Sequence, residues 1–355
     1  MTEYTSTDMV KPLETEERTT TAPQTNDEWG AAWDRFLQSR SDSGFMQSYH
    51  YARVLRKHGW GYFDAFLLKE NAEIEGGGRV FIGHIKPGEV YFYMPDGPLL
   101  SEDAAIASEQ FSGMLAYIED MRREQTEKVT HLRLEPRLHN RPDFIDEGHQ
   151  VDGYTEPRHT LYIDIDKSKE DLLSHMKYYG RYRVKKAIKL GVTVVQDNSA
   201  DGFNEFLTLY KETTIRQGIS AVNFDYLRSL VEILGADKKS ALFFAEYNGI
   251  RLATALVIYF GDRATYFFAA SNKKHPEVMA PYLLNFEIMV QSRAMGCRWY
   301  DFYGISPEQD KDHPLTNISQ FKRKFGGEDR VFIPTLDFIF DEASYRAYRR
   351  SVLEP

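Results

Sequence analysis

One succession of elements occurs twice in this chain of 355 residues. From residue 62, and again from residue 241, the sequence reads strand, tight turn, strand, tight turn, strand, loop, long helix, strand. In the first copy the strands are YFDAFLLKE, RVFIGHI and EVYFYMP, parted by a hairpin at Gly76-Gly77-Gly78 and a turn at Pro87-Gly88. A helix over about 102–125 follows, with Ala104, Ala107, Phe111, Met114, Leu115 and Ile118 on one face, and VTHLRLEP is the last strand. In the second copy ALFFAEYN, RLATALVIYF and ATYFFAAS are joined at Asn248-Gly249 and Gly261-Asp262. A helix over about 281–295 and the strand RWYDFYG complete it. One-faced helices among short strands bury their apolar sides only by layering on sheets. The expected fold class is therefore α/β with mixed (α+β) sheets, in two tandem domains of similar plan.

Further helices surround the two copies. Asp27 is placed to cap one carrying Trp29, Trp33, Phe36 and Leu37. Tyr51, Val54, Leu55 and His58 share the face of a second, which Gly59 ends. A basic helix over about 168–190 stops at Gly191, then come the strand VTVVQ and helices at about 201–217 and 223–235. The expected division is a disordered tail at 1–27, a first domain at 28–159 completed by 334–355, and a second at 160–333.

Charge and cysteine content narrow the function classes. Net charge is −9, which argues against non-specific nucleic-acid binding by the whole surface. Six acids against two bases in residues 1–27 account for −4 of it. The single cysteine, Cys297, excludes an internal disulfide framework and sits in the apolar setting GCRWYDF, as a core thiol does. No 18-residue apolar run and no leader pattern is present, so a cytoplasmic protein without a transmembrane segment is expected.

Residues 299–327, WYDFYGISPEQDKDHPLTNISQFKRKFGG, join an aromatic strand to a long polar loop and a closing glycine pair. Such a stretch is either a plain connection or the floor of a cleft at a sheet end, with 304–318 as a mobile flap.

The order of hairpins, crossover helix and strand resembles the acyl-CoA N-acyltransferase (GNAT-like) plan. Enzymes of that plan that use acetyl-CoA hold its pyrophosphate on a Gly-rich loop at the start of the crossover helix. Here those positions read SEDAAIASEQ and NKKHPEVMAPY, so an acetyl-CoA enzyme is disfavoured and no cofactor is expected. More specifically, MQSYHYARVLRKHGW, YMPDGPLL, MKYYGRYRVKKAIKLGV, ETTIRQGI, MAPYLLNFEIMVQSRAMGCRWYDFYGIS and FKRKFGG occur in an order that resembles the FemABX family. These are the aminoacyl-tRNA-dependent transferases that build peptidoglycan cross-bridges. The likeness covers about 28–340 and is to the compact FemX-like type without a coiled-coil arm.

The resemblance implies two GNAT-like domains and a reaction. An aminoacyl group leaves aminoacyl-tRNA for the stem-peptide amine of lipid II or UDP-MurNAc-pentapeptide. That is aminolysis of an activated ester, which needs oxyanion stabilisation rather than a covalent nucleophile. By the same resemblance Lys322 is the cation at the reacting centre and Phe321 a wall beside it; the alternative is a solvated loop lysine. Arg216 corresponds to an arginine that grips the acceptor's phosphates, or else is a helix-end arginine. Arg53 and Arg56 stand near a second phosphate-binding cation, while Tyr266 and Tyr282 are cleft or core tyrosines. Lys177, Arg181, Lys185 and Lys189, spaced i, i+4, form a ridge suited to tRNA phosphates or simply a solvated basic face.

Two departures stand out. Gly97-Pro98 is followed by Leu99-Leu100-Ser101, with acids only at Glu102-Asp103, so a general base there is in doubt. Asp96 also replaces the basic residue of the family's Pro-Arg-Gly-Pro turn. An N-acyltransferase acting on another amine, for example in secondary metabolism, and a non-catalytic tRNA- or precursor-binding protein therefore stay open. A monomer is expected, with peripheral membrane contact at the inner face if the acceptor is lipid-linked.

Overall fold

The computed structural model describes residues 26–151, 155–218 and 220–353; nearly all of the acidic tail lies outside them. The chain opens with α1 (Asn26–Gln38), α2 (Tyr49–Lys57), β1 (Gly61–Leu68), β2 (Ile74–Lys86) and β3 (Glu89–Pro95). Next are α3 (Ala104–Glu124), β4 (Lys128–Glu135), β5 (His149–Gln150), β6 (His159–Asp164), α4 (Lys169–His175) and α5 (Tyr178–Lys189). Then follow β7 (Thr193–Gln196), α6 (Ala200–Gln217), α7 (Phe224–Ser229, continued by a π turn), β8 (Ser240–Tyr247), β9 (Ile250–Phe260) and β10 (Arg263–Ser271). Last are α8 (Ala280–Ala294), β11 (Trp299–Gly304), α9 (Thr316–Lys322), β12 (Glu328–Val331), β13 (Leu336–Ile339) and α10 (Glu342–Leu353). These elements form two compact units, Met1–Arg158 with Phe332–Pro355, and His159–Val331.

In the first unit six strands run in the order β1-β2-β3-β4-β13-β5. Asp103 caps α3 by accepting from the Ala105 and Ile106 N–H groups, so this acid serves the helix end. Ala107, Phe111, Met114 and Ile118 recur at i, i+4, i+7 and i+11 and are buried, whereas Ala104 is exposed. Asn26 already lies in α1, which puts Asp27 inside the first turn instead of at the cap. The glycine triplet does not form a hairpin. It lies inside β2, where Ala65, Phe66 and Leu67 pair with Gly78, Gly77 and Gly76. The reason is a third chain segment: Gly77 and Leu99 exchange both backbone hydrogen bonds at 2.8 and 2.9 Å. A Cβ on Gly77 would lie 2.1 Å from the Ala65 carbonyl oxygen.

In the second unit seven strands run β12-β6-β11-β10-β9-β8-β7. Helix α8 is apolar on most sides and buries Leu283, Leu284, Phe286, Ile288 and Met289 within this unit's core. The parallel pairs of the two units differ. β3 and β4 pair along their length from Glu89 to Pro95, with one register shift between Val90 and Phe92, but β10 and β11 share only Arg263–Thr265 with Trp299–Asp301. Past Thr265 the sheet parts, and β10 carries an irregularity between Tyr266 and Phe268. The basic helix expected over 168–190 is two helices. Ser168 caps α4, Met176 and Lys177 are extended, and the Lys177 N–H donates to the Lys324 carbonyl at 3.1 Å. Among the described residues no helix is long and apolar enough to cross a membrane.

Candidate functional site

The end of β11 turns abruptly. Asp301, an acid inside an aromatic strand, is buried and accepts from the Thr160 hydroxyl and, at 2.7 Å, from the Tyr303 N–H. That bond holds Tyr303 at φ 59°, a backbone region that non-glycine residues seldom occupy. The β11–β6 register shifts between Asp301 and Gly304, where the strand ends.

Gly304 is where Lys322 arrives. The Lys322 Nζ donates to the Gly304 carbonyl at 2.6 Å, and the residue is only 7% exposed. It is thus a buried lysine at the end of α9 rather than a solvated loop residue, and residues 316–318 of the expected flap are already helical. Burial pulls the ammonium down from 10.5 to about 8, against the opposing pull of Asp301. Among the described residues it makes one hydrogen bond, so two N–H groups stay available to a ligand oxygen. The support behind it is polar and local. Ser319 Oγ accepts from the Ser306 N–H at 2.7 Å, and Arg323 links the Ser306 carbonyl at 2.7 Å to Asp329.

The lowered value has a measurable consequence. Between about pH 8 and 10.5 the folded chain has released a proton that the unfolded chain still holds, so this group makes stability rise with pH across that window. We expect Lys322→Met to remove that rise. Urea unfolding at pH 7 and pH 9.5 should show the wild type gaining on the variant by on the order of 2 kcal/mol. Equal gains in both proteins would show that Lys322 is not the titrating group.

Phe321 and Phe325, on either side of the lysine in the chain, belong to a cluster of rings. Phe321 meets Tyr282 at 4.9 Å and Phe325 at 5.4 Å, both edge-on; Phe302 contacts Phe325 at 5.1 Å, and Tyr266 contacts Phe302 at 5.6 Å. The Arg183 guanidinium lies 5.0 Å over the Tyr282 ring and donates to its hydroxyl. Burial pushes the Tyr266 phenol up to about 12, offset by a hydrogen bond with Asn285, which also accepts from the Tyr300 hydroxyl at 2.8 Å. Phe321, Tyr282 and Tyr266 therefore belong to one connected cluster of rings in the second unit, Tyr266 through Phe302 and Phe325, and Lys322 follows Phe321 directly in the chain.

The other expected residues stand elsewhere. Arg216 is exposed at the end of α6 and donates to Thr213 Oγ1 at 3.3 Å; Thr213 in turn holds Ser271 at the end of β10. Arg53 and Arg56 are exposed on α2 in the first unit, with Arg56 5.9 Å over the Tyr62 ring. The regular ridge of four cations is modified. Lys177 precedes α5 as its N-cap, and Arg181 is tied to the carbonyls of Ser174 and Met176, while Lys185 and Lys189 stand exposed. Cys297 is buried, and burial raises its thiol to about 11, so it stays protonated at neutral pH.

Sequence reasoning passed over Asp301, although an aspartate among aromatic strand residues was a legible signal. It also took Asp96 to mean a lost positive charge. In the first unit Asp96 is buried and paired with Arg137 at 3.3 Å, so a cation arrives from beyond β4. Nearby Glu135 accepts from Tyr93, Thr335 and the Thr155 and Glu156 N–H groups, and its carboxyl is raised, chiefly by burial.

Comparisons with known proteins bear on the family and the fold. The FemAB family model matches residues 143–249 and 241–350. A lipid II:glycine glycyltransferase of Staphylococcus epidermidis is 22% identical over 88% of this chain and 92% of its own length. The crystal structure of FemX superposes with a TM-score of 0.79 at 18% identity, covering 90% of this chain and 98% of that one. A tandem GNAT protein from the clavulanic acid biosynthesis pathway, solved without AcCoA, superposes at 0.52 with 12% identity over 88% and 95% of the two chains. The fold is thus of the tandem GNAT kind.

Proposed function

The chain belongs to the FemAB family, and on that premise we propose that it is an aminoacyltransferase that moves an aminoacyl group from aminoacyl-tRNA to the stem-peptide amine of a peptidoglycan precursor, lipid II or UDP-MurNAc-pentapeptide. The observation that carries this reading is the match to a lipid II:glycine glycyltransferase over nearly the whole of both chains. The buried Lys322 with its two unfilled N–H groups supports it. In the reaction the amine nitrogen bonds to the ester carbonyl carbon, the bond from that carbon to the ribose oxygen breaks, and the proton released by the amine ends on the ribose hydroxyl. Between these events the carbonyl oxygen is an anion. We assign its stabilisation to Lys322, with Phe321, Tyr282 and Tyr266 excluding water from the ammonium.

Arg216 is assigned to the acceptor's phosphates, where its fork suits bidentate contact. Arg53 and Arg56 are separate assignments of the same kind on the first unit. Lys177, Arg181, Lys185 and Lys189 are assigned to tRNA, with Lys185 and Lys189 meeting phosphates and Arg181 holding the helix start. The protein works as a monomer in the cytoplasm, with contact at the inner membrane face when the acceptor is lipid-linked.

Purified protein should transfer a radiolabelled amino acid from charged tRNA to at least one of the two acceptors. Failure with a full set of charged tRNAs and both acceptors removes the reading, and acyl transfer to another amine instead would select the N-acyltransferase alternative. Arg216→Ala should raise KM for the acceptor by roughly tenfold with kcat nearly unchanged, as loss of one charged contact implies. An unaltered KM would return Arg216 to a helix-end role.

A further inference from the structure

Helix α5 presents an outer face that the basic ridge alone does not explain. Gly180, Val184 and Ala187 face the core. Opposite them, at i, i+4, i+7 and i+11, lie Tyr178, Tyr182, Lys185 and Lys189. Tyr178, Tyr179 and Tyr182 are 67%, 66% and 53% exposed, and the first two rings meet edge-on at 5.4 Å. Eleven large hydrophobic side chains stand exposed among the described residues, and five of them fall between 178 and 190. No acid occurs from 172 to 196, in a chain whose net charge is −9. Exposed rings interleaved with lysines and free of acids form a surface for a polyanion that also offers flat apolar faces.

The face leads to Lys322. The Lys177 N–H, directly before Tyr178, donates to the carbonyl of Lys324, two residues past Lys322. Arg183 joins α5 to Tyr282, whose ring packs on Phe321. A donor laid along α5 with its phosphates on Lys185 and Lys189 therefore has its end directed toward the tyrosines and the buried ammonium. The outermost positions argue against a bilayer. Lys185 and Lys189 share them with Tyr178 and Tyr182, whereas the aliphatic Ile188 lies on the flank, the reverse of a face that inserts aliphatic groups into lipid.

Building on the donor reading above, we propose that Tyr178, Tyr179 and Tyr182 form a stacking platform for the unpaired nucleotides at the 3′ end of the donor RNA. Lys185 and Lys189 hold the phosphates of the adjoining duplex. The rings accept any base and so give the terminal ester a position without reading sequence.

The test uses the full chain and two RNA hairpins of one sequence, one with an unpaired 3′ tail and one blunt, with affinity read by fluorescence anisotropy. The wild type should prefer the tailed hairpin. A triple variant, Tyr178→Leu, Tyr179→Leu and Tyr182→Leu, should lose at least about tenfold affinity for the tailed hairpin and less than about threefold for the blunt one. The corresponding triple Phe variant should keep the wild-type affinities, since stacking needs only the ring. Lys185→Ala with Lys189→Ala should weaken both hairpins and flatten the salt dependence. Equal losses on both hairpins, or none, overturn the platform. So does a Leu variant that releases phosphatidylglycerol vesicles while its RNA affinities hold, which would give the face to a lipid surface. If the Leu variant keeps full affinity for the tail while charged tRNA still supports transfer, the platform fails and the donor reading stands. If the wild type binds neither hairpin nor charged tRNA, both fail.

Discussion

Lys322→Met should lower the rate of aminoacyl transfer by about 10²–10³-fold, the usual effect of deleting one stabiliser of a developing oxyanion. Methionine keeps the length and apolar body of the side chain, so the buried space stays filled. The Gly304 carbonyl loses its partner, which costs about 1–3 kcal/mol, but the burial of a charge is relieved at the same time. The fold should therefore survive, and KM for both substrates should stay within about threefold of wild type. The pH profile adds a second readout. A cation stabilises an oxyanion only while protonated, so the wild-type rate should decline as pH rises through about 8, and the residual rate of the variant should lack that decline. A variant with an unreduced rate would remove Lys322 from the chemistry. A climb through the same pH that the variant loses would make Lys322 a base instead of a cation.

Gly327→Ala should destabilise the second unit by more than about 3 kcal/mol. Gly327 has φ +86°, and a Cβ there would lie 2.3 Å from the carbonyl oxygen of Tyr162. Tyr162 is the β6 partner of Glu328, the first residue of β12, so the added methyl pushes β12 off the sheet where the pairing starts. Lys322 sits five residues upstream, and transfer should fall with stability. Gly191→Ala separates the two causes. Gly191 has nearly the same φ, +85°, but nothing lies within 4 Å of its Cβ position. Its substitution should cost only about 1 kcal/mol. Equal losses at the two positions, measured by urea denaturation, would show that backbone conformation alone is responsible and that the approach of Tyr162 is not.

Both glycines illustrate what a linear reading captures. Gly191 ends a helix, a local event that its neighbours announce, and it is where the pattern places it. The glycines of β2 look like a turn from nearby residues, yet they serve Leu99, more than twenty positions away. The continuous helix expected over 168–190 misses its break for the same reason, because the carbonyl that receives the Lys177 N–H belongs to Lys324. FKRKFGG pointed to Lys322 and Phe321; in the fold Phe321 packs on Tyr282, while Tyr266 packs on Phe302. Burial of the ammonium was not legible, and Asp301, visible as an acid in an aromatic strand, gave no sign of the turn it holds.

Side-chain period, turn chemistry and capping act within a few residues of each other, so the chain by itself determined the repeated succession of strands and helices and the order of its motifs. Tertiary structure decided where β10 leaves β11, how a lysine of α9 comes to lie on the end of β11, and which rings Phe321 joins. Those depend on contacts between segments far apart in sequence, and the desolvation that pulls the Lys322 ammonium down exists only once those segments close around it.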